Sequence, residues 1–220
     1  MKREIIQTKD SSTSILLPDW NETYHSKFGA IQEAKHVFIK NGLSLFQGES
    51  VSILEIGFGT GLNAFITYLE AKKSVQKINY TGVEAFPVSE EDALKMNYVS
   101  ELEADSEVAV FQKMHEAAWN ESVVLDAQFT LEKQSKKFQE IADHEKYDLI
   151  YFDAFGFRVQ PELWSLEIFQ IMHQALKPQG ILVTYACRSS IKNAMKDAGF
   201  EVEKLAGPPG KREMLRARKL

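Results

Sequence analysis

Val51-Ser52-Ile53-Leu54-Glu55-Ile56-Gly57-Phe58-Gly59-Thr60-Gly61-Leu62 is the stretch whose reading decides the fold. Val51, Ile53, Leu54 and Ile56 form a short apolar run, rich in β-branched residues, that stops at glycine. Such a run suits a strand buried on both faces, as in a parallel sheet. Gly57, Gly59 and Gly61 then allow a sharp turn and a close backbone approach to a ligand. From Leu62 to Ala71 the apolar residues Leu62, Phe65, Ile66 and Leu69 recur at helical spacing. Strand, glycine turn and helix in succession is an arrangement that binds nucleotides.

The spacing of the glycines narrows the ligand. A dinucleotide fingerprint, Gly-x-Gly-x-x-Gly, needs its third glycine where Leu62 stands. A phosphate-cradling Gly-Lys-Ser/Thr is absent. The pattern present is Glu55-x-Gly57-x-Gly59-x-Gly61. It resembles the first motif of the S-adenosylmethionine-dependent methyltransferases with a Rossmann-like, seven-stranded sheet. A glycine turn in an α/β domain of other function remains the alternative.

The flanking sequence supplies the rest of an α/β domain. Strands are expected at 78–84, 129–132, 147–152, 181–186, 200–205 and 213–219, the last two as a hairpin around Gly207-Pro208-Pro209-Gly210. Helices are expected over 162–176, stopped by Lys177-Pro178-Gln179-Gly180, and over 189–198, capped by Gly199. Residues 89–125 read as an inserted, mostly helical and acidic region. The alternation predicts a right-handed, mostly parallel sheet with helices on both faces and an antiparallel last strand. Residues 1–50 read as an extension packed on a methyltransferase domain of residues 51–220. Within it, Ile5–Thr8 and Ser14–Leu17 suit a hairpin, and Gly29–Lys40 suits a helix with Ile31, Ala34, Val37 and Phe38 on one face.

Composition sets outer limits. The 220 residues, 44% hydrophobic and 26% charged, describe an ordinary globular chain. No run of eighteen apolar residues offers a membrane span, and Met1-Lys2-Arg3-Glu4 leads into a polar stretch. Cys187 is the single cysteine, so no internal disulfide forms and a reducing cytoplasm is expected. The net charge of -5 confines any nucleic-acid contact to a local basic patch. His25, His36, His115, His144 and His173 lack metal-ligand spacing, and no metal is expected.

In open α/β sheets ligands sit beyond the carboxyl ends of the strands. There the sequence delivers the glycine turn, Glu84 and Asp153. Glu84 follows Gly61 by 23 residues, near the distance at which an acidic group meets ribose hydroxyls. A surface glutamate at a strand end is the plainer reading. Asp153 ends the apolar run Leu149-Ile150-Tyr151-Phe152 and is either a reacting carboxylate or a turn cap. Lys211, Arg212, Arg216, Arg218 and Lys219 put five cations near the C-terminus against one acid, Glu213. They suit a solvated strand end or a phosphate-contacting patch.

Several motifs together resemble the MnmC/MnmD methyltransferases that modify tRNA. They are Tyr24-His25-Ser26-Lys27-Phe28-Gly29-Ala30 with Gln32-Glu33-Ala34, the stretch Glu55 to Asn63, Glu84-Ala85-Phe86-Pro87, Phe152-Asp153-Ala154-Phe155 with Pro161-Glu162-Leu163-Trp164, and Gly210-Lys211-Arg212-Glu213-Met214. The resemblance implies methylation of the 5-aminomethyl group of a wobble uridine, often 2-thiolated, by a transferase without the flavin oxidoreductase domain to which it is fused in MnmC. It implies Asp153 as the catalytic carboxylate. It implies S-adenosylmethionine held by Glu55, Gly57, Gly59, Thr60, Gly61, Asn63, Glu84 and Asp153. Tyr24, His25, Phe155, Arg158, Lys211 and Arg212 are the residues expected to meet the tRNA, with a monomer favoured. A small-molecule amine methyltransferase, an aminopropyltransferase and a non-catalytic binding module are the competing readings. Two departures from the family stand out. Phe157 replaces the first proline of its Phe-x-Pro-x-x-x-Pro loop, and Leu131-Glu132-Lys133-Gln134 offers no clear match to the acidic residue that contacts adenine in some relatives.

Overall fold

The apolar runs pair into one central sheet in the computed structural model, which describes residues 2–47, 50–74 and 76–220; Met1 of the quoted N-terminal stretch lies outside them. The chain opens with β1 (Glu4–Gln7) and β2 (Thr13–Leu17), an antiparallel hairpin in which Ile5 faces Ile15. A two-residue strand, β3 (Glu22–Thr23), completes a small sheet of its own. Helix α1 (Ala30–Ala34) runs on into a π-helical turn over Lys35–Lys40. There Val37 and Phe38 are buried as the sequence period requires.

The central sheet follows from β4 (Ser50–Ile56), α2 (Leu62–Lys73) and β5 (Lys77–Glu84). An insertion holds α3 (Glu90–Ala93), α4 (Tyr98–Glu101), α5 (Val108–Glu116) and β6 (Ser122–Val124). After it come β7 (Phe129–Ser135), β8 (Tyr147–Phe152), α6 (Leu166–Ala175), β9 (Leu176–Thr184), α7 (Ser189–Asp197), β10 (Phe200–Ala206) and β11 (Glu213–Lys219). Strand order is β10-β11-β9-β8-β4-β5-β7-β6. The inner pairs β9-β8, β8-β4, β4-β5 and β5-β7 are parallel, and β11 is antiparallel to both its neighbours.

Helices cover both faces. On one, Val51, Ile53, Phe65, Tyr80 and Val183 share a core with Ile15, Leu17, Ala30, Ile31, Val37 and Phe38 of the first fifty residues. Helix α2 is therefore buried almost all round, under α1 on one side and Phe111 of α5 on another. On the other face Leu54, Ile56, Ile150 and Leu182 pack against Ile168, Phe169 and Met172 of α6 and Ile191 of α7. Truncating a side chain such as Leu54, 0% exposed, to alanine would cost about 2–5 kcal/mol.

Four details correct the sequence reading. The described sheet has eight strands rather than seven, because β6 adds antiparallel to β7 at the edge, with Val123 opposite Leu131. Three residues carry no legible alternation, and a short edge strand needs little of it. The helix expected over 162–176 is split: Pro161 opens a 3-10 turn to Trp164, and extended Ser165 separates it from α6. Strand β9 begins at Leu176 and ends at Thr184, so Tyr185 and Ala186 leave the sheet. Strand β7 extends to Ser135, so residues 131–134 are ladder positions and the loop beyond the strand starts at Lys136.

Candidate active site

The ends of β4, β5 and β8 open into a cavity of about 870 Å³. Its floor is the glycine turn. Gly57 and Phe58 N–H groups both donate to the Val83 carbonyl, at 2.9 and 3.2 Å, which ties the turn to β5. Gly57 has φ +89°, and a Cβ there would lie 2.7 Å from the Asp153 carbonyl oxygen, so no other residue fits. Gly59 has φ +52°, and a Cβ there would lie 3.3 Å from the Tyr24 ring. Glu84 accepts from Gly59 N at 3.1 Å through Oε2 and from Phe86 N at 3.0 Å through Oε1. Each oxygen keeps a second lone pair for a ligand hydroxyl. Thr60 and Asn63 also line the cavity, whereas Glu55 and Gly61 lie behind it.

Asp153 follows β8 directly, and its N–H donates to the Ile56 carbonyl at 2.9 Å. Its Oδ2 accepts from Asn63 Nδ2 at 2.9 Å, and the same nitrogen donates to Glu55 Oε1 at 2.8 Å. One amide thus bridges two carboxyl groups. Glu55 is 0% exposed, and burial raises its pKa well above the usual carboxyl range, leaving a neutral acid. Asp153 is pushed up to about 7, first by burial and then by the Glu33 charge, against the Asn63 hydrogen bond and the Lys211 cation. A carboxyl that titrates near neutrality can both hold and release a proton at physiological pH.

Aromatic rings make the wall beside Asp153. Phe155 meets Trp20 edge-on at 5.7 Å and Tyr24 at 5.0 Å between ring centroids. Tyr185, freed from β9, donates its hydroxyl to the Ala154 carbonyl at 2.8 Å. Lys211 Nζ sits 3.8 Å from the Tyr185 ring centroid and is ion-paired with Glu33. Glu22 joins this wall. Arg158 stays outside the cavity: its Nη2 donates to the carbonyls of Trp20 and Asn21 and to Glu22 Oε2 at 3.1–3.3 Å, pinning the loop after β8 to the N-terminal segment. His25 lines the cavity but is held by Ser14 Oγ at 3.0 Å, and burial lowers its pKa to about 4, so it stays neutral.

The basic tail divides. Lys211 turns into the cavity and Arg212 is exposed. Arg216 pairs with Glu203 at 2.6 Å, and buried Lys219 donates to the Leu176 carbonyl at 2.9 Å beside Glu145. The five cations therefore do not form one patch.

With this geometry in place, comparison with known proteins is decisive. Residues 95–220 match the model of a family described as S-adenosyl-L-methionine-dependent methyltransferase. The chain belongs to that family. It is 27% identical over 217 residues to the tRNA 5-methylaminomethyl-2-thiouridine biosynthesis bifunctional protein MnmC of Pseudoalteromonas atlantica, covering 90% of this chain and 31% of that protein. It is 30% identical over 220 residues to the MnmC protein of Delftia acidovorans, covering 91% of this chain and 33% of that protein. The chain spans about a third of the length of these relatives. Among solved structures, MnmC2 from Aquifex aeolicus superposes with a TM-score of 0.76 at 22% identity, covering 98% of this chain and 70% of that one.

The methyltransferase's cavity fits the family's cofactor on its own evidence. A cradle closed to any Cβ at Gly57 and a carboxylate with spare lone pairs at Glu84 suit the hydroxyls of a sugar brought close to the backbone. Beyond the end of β7, Lys137, Phe138 and Gln139 line the same cavity. The loop after the third parallel strand thus brings an aromatic ring and an amide where an acid was sought too early in the chain.

Sequence reasoning missed Glu22, Glu33, Tyr185 and the 137–139 loop. Glu33 had left a signal: a carboxylate among buried Ala30, Ile31, Ala34 and Val37 on a helical stripe needs a partner. Asn63 was expected at the cofactor, and its bridge between Glu55 and Asp153 could be seen only in three dimensions. Among the described residues no helix is long and apolar enough to cross a membrane.

Proposed function

We propose that this chain transfers a methyl group from S-adenosylmethionine to the amino group of 5-aminomethyl-(2-thio)uridine at the wobble position of cytoplasmic tRNA. The observation that carries the reading is the wall around Asp153. Asp153 stands among Trp20, Tyr24, Phe155 and Tyr185, with Glu22 and Glu33 ion-paired in the same wall, a setting that holds an alkylamine between ring faces and one carboxyl without a cation bonded to it. The names of the MnmC relatives supply the tRNA context. In this reading the fifty N-terminal residues form the amine side of the 51–220 methyltransferase domain, because Trp20, Glu22, Tyr24 and Glu33 come from them.

The glycine turn and Glu84 hold the cofactor. When bound, it supplies a methyl group on a sulfonium, whose sulfur keeps the bonding electron pair on transfer. The work of the chain is to deliver a lone pair. An alkylamine of pKa about 10.4 is neutral in roughly one molecule in 2,500 at pH 7, a cost of about 4.6 kcal/mol. Asp153 orients the amine through its Oδ atoms and accepts the proton the nitrogen loses. Asn63 keeps Asp153 aimed, and Phe155 with Tyr24 keeps water away. Positioned proton transfer contributes about 10²–10⁴-fold. Exposed Lys27, which lines the cavity, and exposed Arg212 beyond it contact phosphates.

Radiolabelled methyl transfer tests the reading. tRNA carrying the unmethylated aminomethyl group should accept one methyl per molecule, with far higher kcat/KM than the free nucleoside. Transfer to the nucleoside at equal efficiency would favour a small-molecule enzyme. No transfer to either would overturn the proposal.

A further inference from the structure

Glu33 and Lys211 are 178 positions apart in sequence and meet in the wall of the cavity that Asp153 also lines. Glu33, only 8% exposed, accepts from Ser26 N at 3.2 Å through Oε1 and from Lys211 Nζ through Oε2. The ammonium lies 3.8 Å from the centroid of Tyr185. Tyr185 is in turn fixed by its hydroxyl to the carbonyl of Ala154, the residue after Asp153. A lysine so clamped is no ordinary surface cation: its side chain is only 30% exposed, and removing it leaves the buried Glu33 carboxylate with the Ser26 N–H alone.

We propose that Lys211 is a positioning residue for the reaction: clamped between Glu33 and the Tyr185 ring, it cancels the Glu33 charge at the cavity wall and lets Asp153 carry its own negative charge beside the substrate amine. The inference rests on the reading of Asp153 as the reacting carboxylate. It gives Lys211 a task different from the phosphate contact expected from the sequence.

The other groups facing Asp153 do not duplicate this task. Asn63 of α2 donates a hydrogen bond, and Glu55 of β4, behind it, is neutral. The hydroxyls of Tyr80 on β5 and Tyr185 after β9 stay protonated, since burial raises both well above the usual phenol range. Glu33 and Lys211 are left as the opposed full charges, the first raising and the second lowering the Asp153 pKa. The signs are therefore fixed. Loss of the cation must make Asp153 harder to ionise, and loss of the Glu33 anion must make it easier.

The experiment is an NMR titration of the Asp153 carboxyl carbon in protein labelled with [13C]aspartate, its signal assigned by Asp153→Asn. Lys211→Met should move the midpoint upward by about one to two pH units, the size of a unit charge roughly 6–12 Å away at an effective dielectric of about 20. Glu33→Gln should move it downward, and Lys211→Arg should leave it near the wild-type value. A lysine that only fastens the loop would give equal midpoints in Lys211→Met and wild type, and that result overturns the proposal, as does an upward shift in Glu33→Gln. The titration needs no methyl transfer. Inactivity of the wild type toward every amine would therefore refute the proposed reaction, while the midpoints would still decide what Lys211 does to Asp153.

Discussion

The two halves of the cavity are built in different ways. In the proposed reading the cofactor half is made of main chain: a glycine turn after β4, tied to Val83 and Glu84 of β5, all within thirty-four consecutive residues. The proposed amine half is made of side chains brought from Trp20, Glu33, Asn63, Asp153, Tyr185 and Lys211, which span most of the sequence. A main-chain cradle tolerates almost no change at its glycines but places few demands on side-chain chemistry. A side-chain cluster tolerates backbone variation but depends on the balance of its charges. The two halves should therefore fail differently when mutated.

The largest effect is expected in the cradle. Gly59→Val adds a β-branched side chain at φ +52°, aimed at the Tyr24 ring. Strain plus blockage should weaken S-adenosylmethionine binding by about 100-fold or more, read by calorimetry, with a folded circular dichroism spectrum. Normal binding would place the cofactor elsewhere. Next comes the bridge. Asn63→Leu removes the donor shared by Glu55 and Asp153 and should cost about 1–3 kcal/mol of stability in urea titrations. It should also move the rate profile to higher pH, because that hydrogen bond lowers the Asp153 pKa. An unshifted profile would remove Asn63 from the amine half.

A smaller effect concerns stability. The Asp153 carboxyl is raised in the folded state to about 7, above its ordinary value near 3.8. Its contribution is thus fully present below the ordinary value and lost as pH rises through about 7. Asp153→Asn, which cannot ionise, should melt several degrees above wild type at pH 8.5, with the difference shrinking as pH falls toward about 4. Equal melting points at both pH values would contradict the burial of that charge. The smallest effect lies at exposed cations. Replacing exposed Lys27 and Arg212 by alanine should flatten the slope of log tRNA affinity against log salt by about 0.7–0.9 for each lost phosphate contact. An unchanged slope would move the RNA to another face.

The same contrast explains what the sequence made legible. Strand β4, the glycine turn, Glu84 and Asp153 announce themselves through local signals: apolar runs, turn residues and spacing within a few tens of positions. The period of buried residues also gave all seven principal strands. The partners of those residues had no such signal. The Lys211–Glu33 pair, like the hold of Arg158 on Glu22 across 136 positions, exists only once the N-terminal hairpin, α1 and the loop before β11 converge. A run of five cations looked like one patch because sequence does not show that alternate positions of β11 face different partners. The extra edge strand and the longer β7 escaped for a related reason, since pairing with a neighbour, rather than composition, extends them.

The central claim is that the cavity divides into a half that holds the methyl donor and a half that handles the amine proton. Asp153→Asn tests it in one preparation, with S-adenosylmethionine affinity measured by calorimetry and single-turnover methylation of tRNA bearing the 5-aminomethyl group. The account predicts affinity within about twofold of wild type and a rate lowered by about 10²-fold or more. A rate within twofold of wild type, or a loss of affinity as large as the loss of rate, would contradict it.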